Sequence, residues 1–169
     1  WGAYNSLIDY PNNKVSTFEF LNEEGQFNLA SFREKVDEIL NRQKNLVIIL
    51  NGIANNPTGY SMSVSEWQAA VDVLKAAVEG KDKNVILVPD VAYLDYSGEK
   101  EECRQFFKVF GNLPKNILII VAYTLSKGFT LYGQRQGAMI AVTSDKDVAK
   151  EFVDVNQYAS RATWSNCNS

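Results

Sequence analysis

The sequence predicts an α/β fold of three layers, in which a mainly parallel sheet with one antiparallel strand lies between helices. Two observations carry this reading. Short apolar runs alternate along the chain with stretches whose apolar residues recur at helical spacing. Polar, glycine-rich or aromatic segments then follow the apolar runs, as expected where the carboxyl ends of strands gather a ligand. The chain has 169 residues, 46% of them hydrophobic, and no long charged or Ser/Gly-rich tract, so one domain with one core is expected.

In chain order, residues 15–21 read as a first strand, and Leu29, Phe32, Val36, Ile39 and Leu40 mark a helix. Residues 46–50 form the next strand. Trp67, Ala70, Val71, Leu74, Ala77 and Val78 line a second helical face, introduced by Ser63-x-x-Glu66 in capping-box form. Residues 85–88 read as a strand; Cys103, Phe106, Phe107 and Phe110 mark a shorter helix; residues 117–122 form a buried strand. Residues 138–142 are the last strand candidate. Residues 123–137 carry no helical apolar stripe, so they predict a structured loop rather than a crossover, which makes that last strand antiparallel. A final helix capped near Ser144 or Asp145 carries Val148, Phe152, Val155 and Ala159.

Composition removes several function classes. There is no histidine, which excludes Ser/His/Asp triads, Cys/His dyads, HExxH zinc sites and imidazole acid–base chemistry. Seventeen basic against 20 acidic residues, with no Lys/Arg stripe, argue against a nucleic-acid platform. No apolar run reaches about 18 residues, so no membrane partner is expected. Cys103 and Cys167 lie far apart without CxxC spacing, which favours a reducing, cytoplasmic setting over a disulfide scaffold, with one bridge still open. GxGxxG and GxxxxGK[ST] are both absent, which argues against nucleotide binding. Trp1 stands where a methionine would start translation, so a piece of a longer chain is expected.

Three segments carry candidate chemistry. Asn55-Asn56-Pro57-Thr58-Gly59 has turn chemistry whether or not it binds anything. Asp90, followed by Tyr93, ends a strand, where a carboxylate either caps a turn or meets a cationic ligand. Lys127 lies in the uncharged run Thr124-Leu125-Ser126-Lys127-Gly128-Phe129, where an amine shielded from water becomes a nucleophile able to form a Schiff base; a surface-loop lysine is the alternative. Arg135, between Gly133 and Gly137, suits a phosphate or is a plain surface arginine.

The joint order of these motifs is more specific than any one of them. Trp1-Gly2-x-Tyr4-Asn5, Asn56-Pro57-Thr58-Gly59, Asp90-x-Ala92-Tyr93, Thr124-x-Ser126-Lys127, Arg135-x-Gly137 and Arg161-x-x-Trp164-Ser165-Asn166 together resemble the class I pyridoxal-phosphate-dependent aminotransferases, the aspartate and aromatic aminotransferase family. The resemblance implies that residues 1–169 are the central part of a fold type I cofactor-binding large domain, without its N-terminal part or the small domain. It implies that Lys127 holds pyridoxal 5'-phosphate and moves the α-proton, and that Asp90 pairs with the pyridine nitrogen. Tyr93 and Asn56 would bond the cofactor's phenolic oxygen, Thr124, Ser126 and Arg135 its phosphate, and Trp1 would stack on its ring. Trp1 and Asn56 would also border the substrate, and Arg161 would meet a distal carboxylate across a homodimer interface.

The reaction implied is amino transfer between an amino acid and a 2-oxo acid, with the isolated chain expected to be inactive because substrate clamps are missing. Alternatives on the same fold are a carbon–sulfur lyase or decarboxylase, and the sensor domain of a transcription regulator. The family topology also implies a strand missing between residues 15–21 and 46–50, so residues 15–21 are expected to shift into the gap or a second copy to cover the edge.

Overall fold

Leu46, Val85 and Ile117 stand side by side in register, and all three are buried. They belong to the strands β1 (Asn45–Leu50), β2 (Asn84–Pro89) and β3 (Ile117–Thr124), which run parallel, while β4 (Gly137–Val142) pairs antiparallel with β3. The sheet order is β1-β2-β3-β4. The computed structural model describes residues 3–8 and 13–163. The expected antiparallel last strand is therefore present, as is the mixed sheet with helices around it.

Strand alternation sends one set of side chains into the core and the other away from it. Leu46, Leu50, Val85, Leu87, Ile117, Ile119 and Val121 are buried, whereas Ile49, Ile86, Val88, Leu118 and Ile120 between them are half-buried and Val47 is 61% exposed. The buried side is covered by α2 (Leu29–Arg42) and α3 (Val64–Val78), which pack on each other and on β1 and β2. Asn28 caps α2 by accepting from Ser31 N at 3.0 Å. Apolar residues of α2 at Phe32, Val36 and Leu40 repeat every four positions and all face the core.

Trp67 is the centre of this layer. It is fully buried, stacked on Phe106 with ring centroids 5.2 Å apart and edge-on to Phe110 at 5.8 Å. Both phenylalanines come from a 3-10 helix, Gln105–Phe110, where an α-helical stripe was expected. The tighter turn still presents Phe106 and Val109 to the core, because residues three apart lie on one face of a 3-10 helix, and Phe110 at its end is buried beside them.

Residues 15–21 do not join the sheet, contrary to expectation. Leu21 makes only an isolated antiparallel bridge with Phe27, and the alternating Phe18 and Phe20 insert into an aromatic cluster with Phe27, Phe32 and Tyr60. Period-two alternation specifies an extended segment with one buried face; it does not specify a strand partner. Of the two outcomes expected for the gap beside β1, residues 15–21 do not shift into it: β1 pairs with β2 alone among the described residues. Residues 123–137 include a single helical turn, α4 (Leu125–Gly128), and a 3-10 turn, Tyr132–Gln134. A short helix not foreseen in the sequence, α1 (Ala3–Ile8), precedes them all. In α5 (Lys146–Thr163), Asp145 accepts from Asp147 N and Val148 N as the cap, but only Val148 and Phe152 of the expected stripe are half-buried, with Val155 and Ala159 exposed.

Glu66 ties three segments together. Its carboxylate accepts from Ser63 N at 2.8 Å, from Phe27 N at 3.0 Å, and from the Tyr60 and Ser63 hydroxyls, completing the capping box of α3. Burial pushes this carboxyl up, but the hydrogen bonds from Tyr60, Ser63 and Phe27 outweigh it and hold the pKa below the usual glutamate value.

Two outcomes follow from this packing. Trp67→Ala should lower unfolding free energy by about 3–5 kcal/mol, read from urea denaturation, because it empties the contact between α3 and the 3-10 helix. For Glu66 the folded pKa lies below the unfolded one, so its stabilisation is complete above the unfolded carboxyl value of about 4.3 and is lost as pH falls through the folded value. Glu66→Gln should therefore cost about 1 kcal/mol at neutral pH, the usual worth of a cap, and flatten the acid limb of a stability–pH curve. An unchanged acid limb would refute the assignment.

Candidate functional site

Strands β2 and β3 end side by side, and the chain that leaves each one returns toward the other. Asp90, the residue after β2, bridges Ala122, and Val91 N donates to Ala122 O at 3.1 Å. Asp90 is half-buried, its N–H bonded to Leu50 O at 3.0 Å and its Oδ1 accepting from Ala92 N at 3.1 Å. The Tyr4 hydroxyl of α1 also donates to the Asp90 carboxylate. Burial first, then the charge and hydrogen bond of Asp90, raise the Tyr4 phenol above its ordinary pKa.

Beyond β3, the side chain of Thr124 caps α4 by accepting from Ser126 N at 3.1 Å, and its hydroxyl donates to Gln136 O at 3.3 Å. Leu125 N donates to the same Gln136 carbonyl at 3.1 Å. The pairing of Thr124 with Gly137 sets this register, and glycine is required there: a Cβ at residue 137 would lie 2.5 Å from Tyr123 O. The hairpin thus returns Arg135 to the neighbourhood of the turn that carries Ser126 and Lys127. Arg135 has a left-handed backbone (φ 54°), and its guanidinium lies 4.8 Å from the centroid of Tyr132, with Nη1 donating to Tyr132 O at 3.1 Å.

Lys127 Nζ lies between two aromatic faces, 5.3 Å from the Tyr93 centroid and 5.5 Å from that of Tyr132. These groups open on a cavity of about 400 Å³ lined by Tyr93, Tyr96, Ser126, Lys127, Thr130 and Tyr132. Of the residues anticipated from sequence, Tyr93, Ser126 and Lys127 line one cavity; Asp90 and Thr124 are tied to the same strand ends; Arg135 borders it through Tyr132. Asn56 lies in the loop after β1, exposed, with its N–H donating to Asn51 Oδ1 at 3.3 Å after a turn whose Asn55 side chain bonds Asn51 and Thr58. Arg161 is exposed near the end of α5, and no described hydrogen bond or ion pair joins it to the cavity. Trp1, Trp164, Ser165, Asn166 and Cys167 lie outside the described residues.

Tyr96, Thr130 and Tyr132 were not anticipated, nor was the link from Tyr4 to Asp90. The clustering of Tyr93, Tyr96 and Tyr132 in segments that follow strands was the available signal. Among the described residues there is no group of three metal-ligating side chains, and no helix is long and apolar enough to cross a membrane.

Comparison with known proteins shows the family and the fold. The sequence pattern of the family described as aminotransferase class I and II matches residues 1–166. The aspartate aminotransferase of Pseudomonas aeruginosa is 25% identical over 98% of this chain and 39% of its own length, and the cytoplasmic aspartate aminotransferase of Caenorhabditis elegans is 29% identical over 94% and 33%. The crystal structure of an aminotransferase from Anaerococcus prevotii superposes with a TM-score of 0.95 at 36% identity, covering 99% of this chain and 41% of that one. An aromatic-amino-acid aminotransferase from Burkholderia pseudomallei, covalently bound to pyridoxal phosphate, shares the fold at a TM-score of 0.80 and 22% identity, with 100% of this chain and 40% of that one covered. The chain spans about two fifths of the length of the curated relative from Pseudomonas aeruginosa.

The bond between Tyr4 and Asp90 predicts a spectroscopic signature. In an ultraviolet pH titration, Tyr4→Phe should remove one phenol from the set that ionises above the ordinary tyrosine range. Loss of a phenol of ordinary pKa instead would show that Tyr4 does not donate to Asp90 in solution.

Proposed function

Since the chain belongs to the aminotransferase class I and II family, we propose that it is the central part of a cofactor-binding domain that holds pyridoxal 5'-phosphate at Lys127 and serves amino transfer between an amino acid and a 2-oxo acid. The observation that carries this reading is the Lys127 amine at a cavity between two tyrosine faces, with the Asp90 carboxylate fixed at the adjoining strand end. The residues fit the group. Aromatic faces accept a flat ring, the amine meets an aldehyde, a carboxylate meets a protonated ring nitrogen, and hydroxyls with a guanidinium meet a phosphate.

Pyridoxal phosphate supplies an exchangeable carbonyl carbon and a ring that takes up the electron pair left by α-proton loss. Lys127 Nζ would hold the cofactor through its carbonyl carbon and, when free, would take the proton from the substrate α-carbon. Asp90 keeps the ring nitrogen protonated, and the Tyr4 hydroxyl orients the carboxylate. Tyr93 and Asn56 donate to the phenolic oxygen. Thr124, Ser126 and Arg135 take the phosphate, with the Arg135 guanidinium already held over Tyr132. By the family resemblance, Trp1 would stack on the ring and, with Asn56, border the substrate, and Arg161 would serve a distal carboxylate from across a homodimer interface in a cytoplasmic enzyme. Aspartate and aromatic amino acids are the substrate classes of relatives at this likeness, which supports one or the other here.

The test is direct. The chain mixed with pyridoxal phosphate and reduced with borohydride should carry the label at Lys127, mapped by peptide mass spectrometry, and Lys127→Ala should abolish it. Label spread over Lys81, Lys100 and other surface amines, or no label, would overturn the reading.

A further inference from the structure

We propose that Asp95 is the positioning residue for Lys127, an inference that rests on the reading of Lys127 as the cofactor lysine. Asp95 lies in the 3-10 turn Leu94–Tyr96, five residues beyond Asp90. Its two oxygens are engaged separately. Oδ1 accepts from Arg104 Nη2 at 2.6 Å and Oδ2 from the Tyr123 hydroxyl at 3.0 Å. These bonds join the turn after β2 to the segment before Gln105–Phe110 and to the end of β3, one residue ahead of the Thr124 cap of α4.

The carboxylate is thereby wedged beneath the turn that carries Lys127. A Cβ at residue 128 would lie 2.2 Å from Asp95 Oδ2 and 3.0 Å from its Cγ, so the side chain occupies the space that glycine leaves open. On the neighbouring residue, the Tyr96 hydroxyl donates to Lys127 O at 2.9 Å. Consecutive side chains therefore hold consecutive residues of α4, Asp95 against Gly128 and Tyr96 on the Lys127 carbonyl. A four-residue helix has no length of its own to keep it in place, so such external contacts decide where its side chains point.

Arg104 is itself braced, with Nη1 donating to Lys100 O at 3.1 Å and to Cys103 Sγ at 3.1 Å. Asp95 and Arg104 are 28% and 31% exposed at the side chain, a setting in which an ion pair adds little to stability. What the pair provides is direction: with its oxygens held by two donors from different segments, the carboxylate has one orientation under Gly128.

The experiment follows borohydride-trapped pyridoxal phosphate on the full 169-residue chain, as the rate of label at Lys127 relative to label at the exposed Lys81 and Lys100 of the same molecules. Asp95→Ala should lower that ratio roughly tenfold while the urea midpoint stays near that of the unsubstituted chain. Asp95→Asn, which keeps the wedge and an acceptor for Tyr123, should retain most of the ratio. Gly128→Ala should lose it as well, and adding Asp95→Ala to Gly128→Ala should restore the urea midpoint without restoring the label. An unchanged ratio in Asp95→Ala would overturn the positioning role alone, as would a loss that merely follows unfolding. Absence of label at Lys127 in the unsubstituted chain would overturn the functional reading, and this inference with it.

Discussion

Gln136 O receives both Leu125 N and the Thr124 hydroxyl, and the next residue, Gly137, lies so close to Tyr123 O that no side chain fits. This contact fixes the antiparallel register of β3 and β4, and the cavity depends on it. The same few residues close the sheet, cap the turn of Lys127 and return Arg135 beside Tyr132. A one-residue slip would reverse the facing of every side chain in β4 and carry Arg135 away with it.

The two aspartates that follow β2 divide the electrostatics of the site. The Asp90 carboxylate is held by the Ala92 N–H and by the Tyr4 hydroxyl, both neutral groups, so its charge remains available to a cationic ligand. Asp95 meets a guanidinium and a phenol, so its charge is satisfied within the protein. Burial first, then the hydrogen bond to Asp95, raises the Tyr123 phenol; Arg104 is raised overall despite the opposing effect of burial, through Asp95 and Cys103. Five residues of chain thus separate a carboxylate suited to ligand chemistry from one suited to holding a lysine in place.

Stability and site draw on different parts of the sheet, one on a face and the other on the loops that leave the strands. The layer of α2, α3 and the phenylalanines of Gln105–Phe110 packs one side of the sheet around Trp67, whose indole N–H is buried without a hydrogen-bond partner among the described residues. Leaving a donor unsatisfied carries a cost that the packing of the ring must outweigh. The loops at the carboxyl ends of the strands are looser, with short turns, a half-buried Tyr93, exposed Tyr96 and Tyr132, and an open cavity. That is where an open α/β sheet can place functional groups without disturbing its core.

The sequence by itself determined the strands at residues 46–50, 85–88, 117–122 and 138–142, the capping box at Ser63 and Glu66, the antiparallel last strand and the candidate positions of Asp90, Tyr93 and Lys127. The strands, the capping box and the antiparallel pairing rest on local pattern, namely apolar period, cap spacing or the lack of a crossover helix, whereas the three candidate positions rest on the joint order of motifs that resembles the class I aminotransferases. The tertiary structure alone decided that residues 15–21 build an aromatic cluster instead of a strand, that Phe106 and Phe110 come from a 3-10 helix, and that Tyr4, Tyr96, Tyr132 and Asp95 surround the site. Those outcomes depend on which surfaces of the folded chain meet, as between Tyr123 and Asp95 or Tyr4 and Asp90. Periodicity carries the facing of a residue; it does not carry the identity of the neighbour, which only closure of the sheet and its loops supplies.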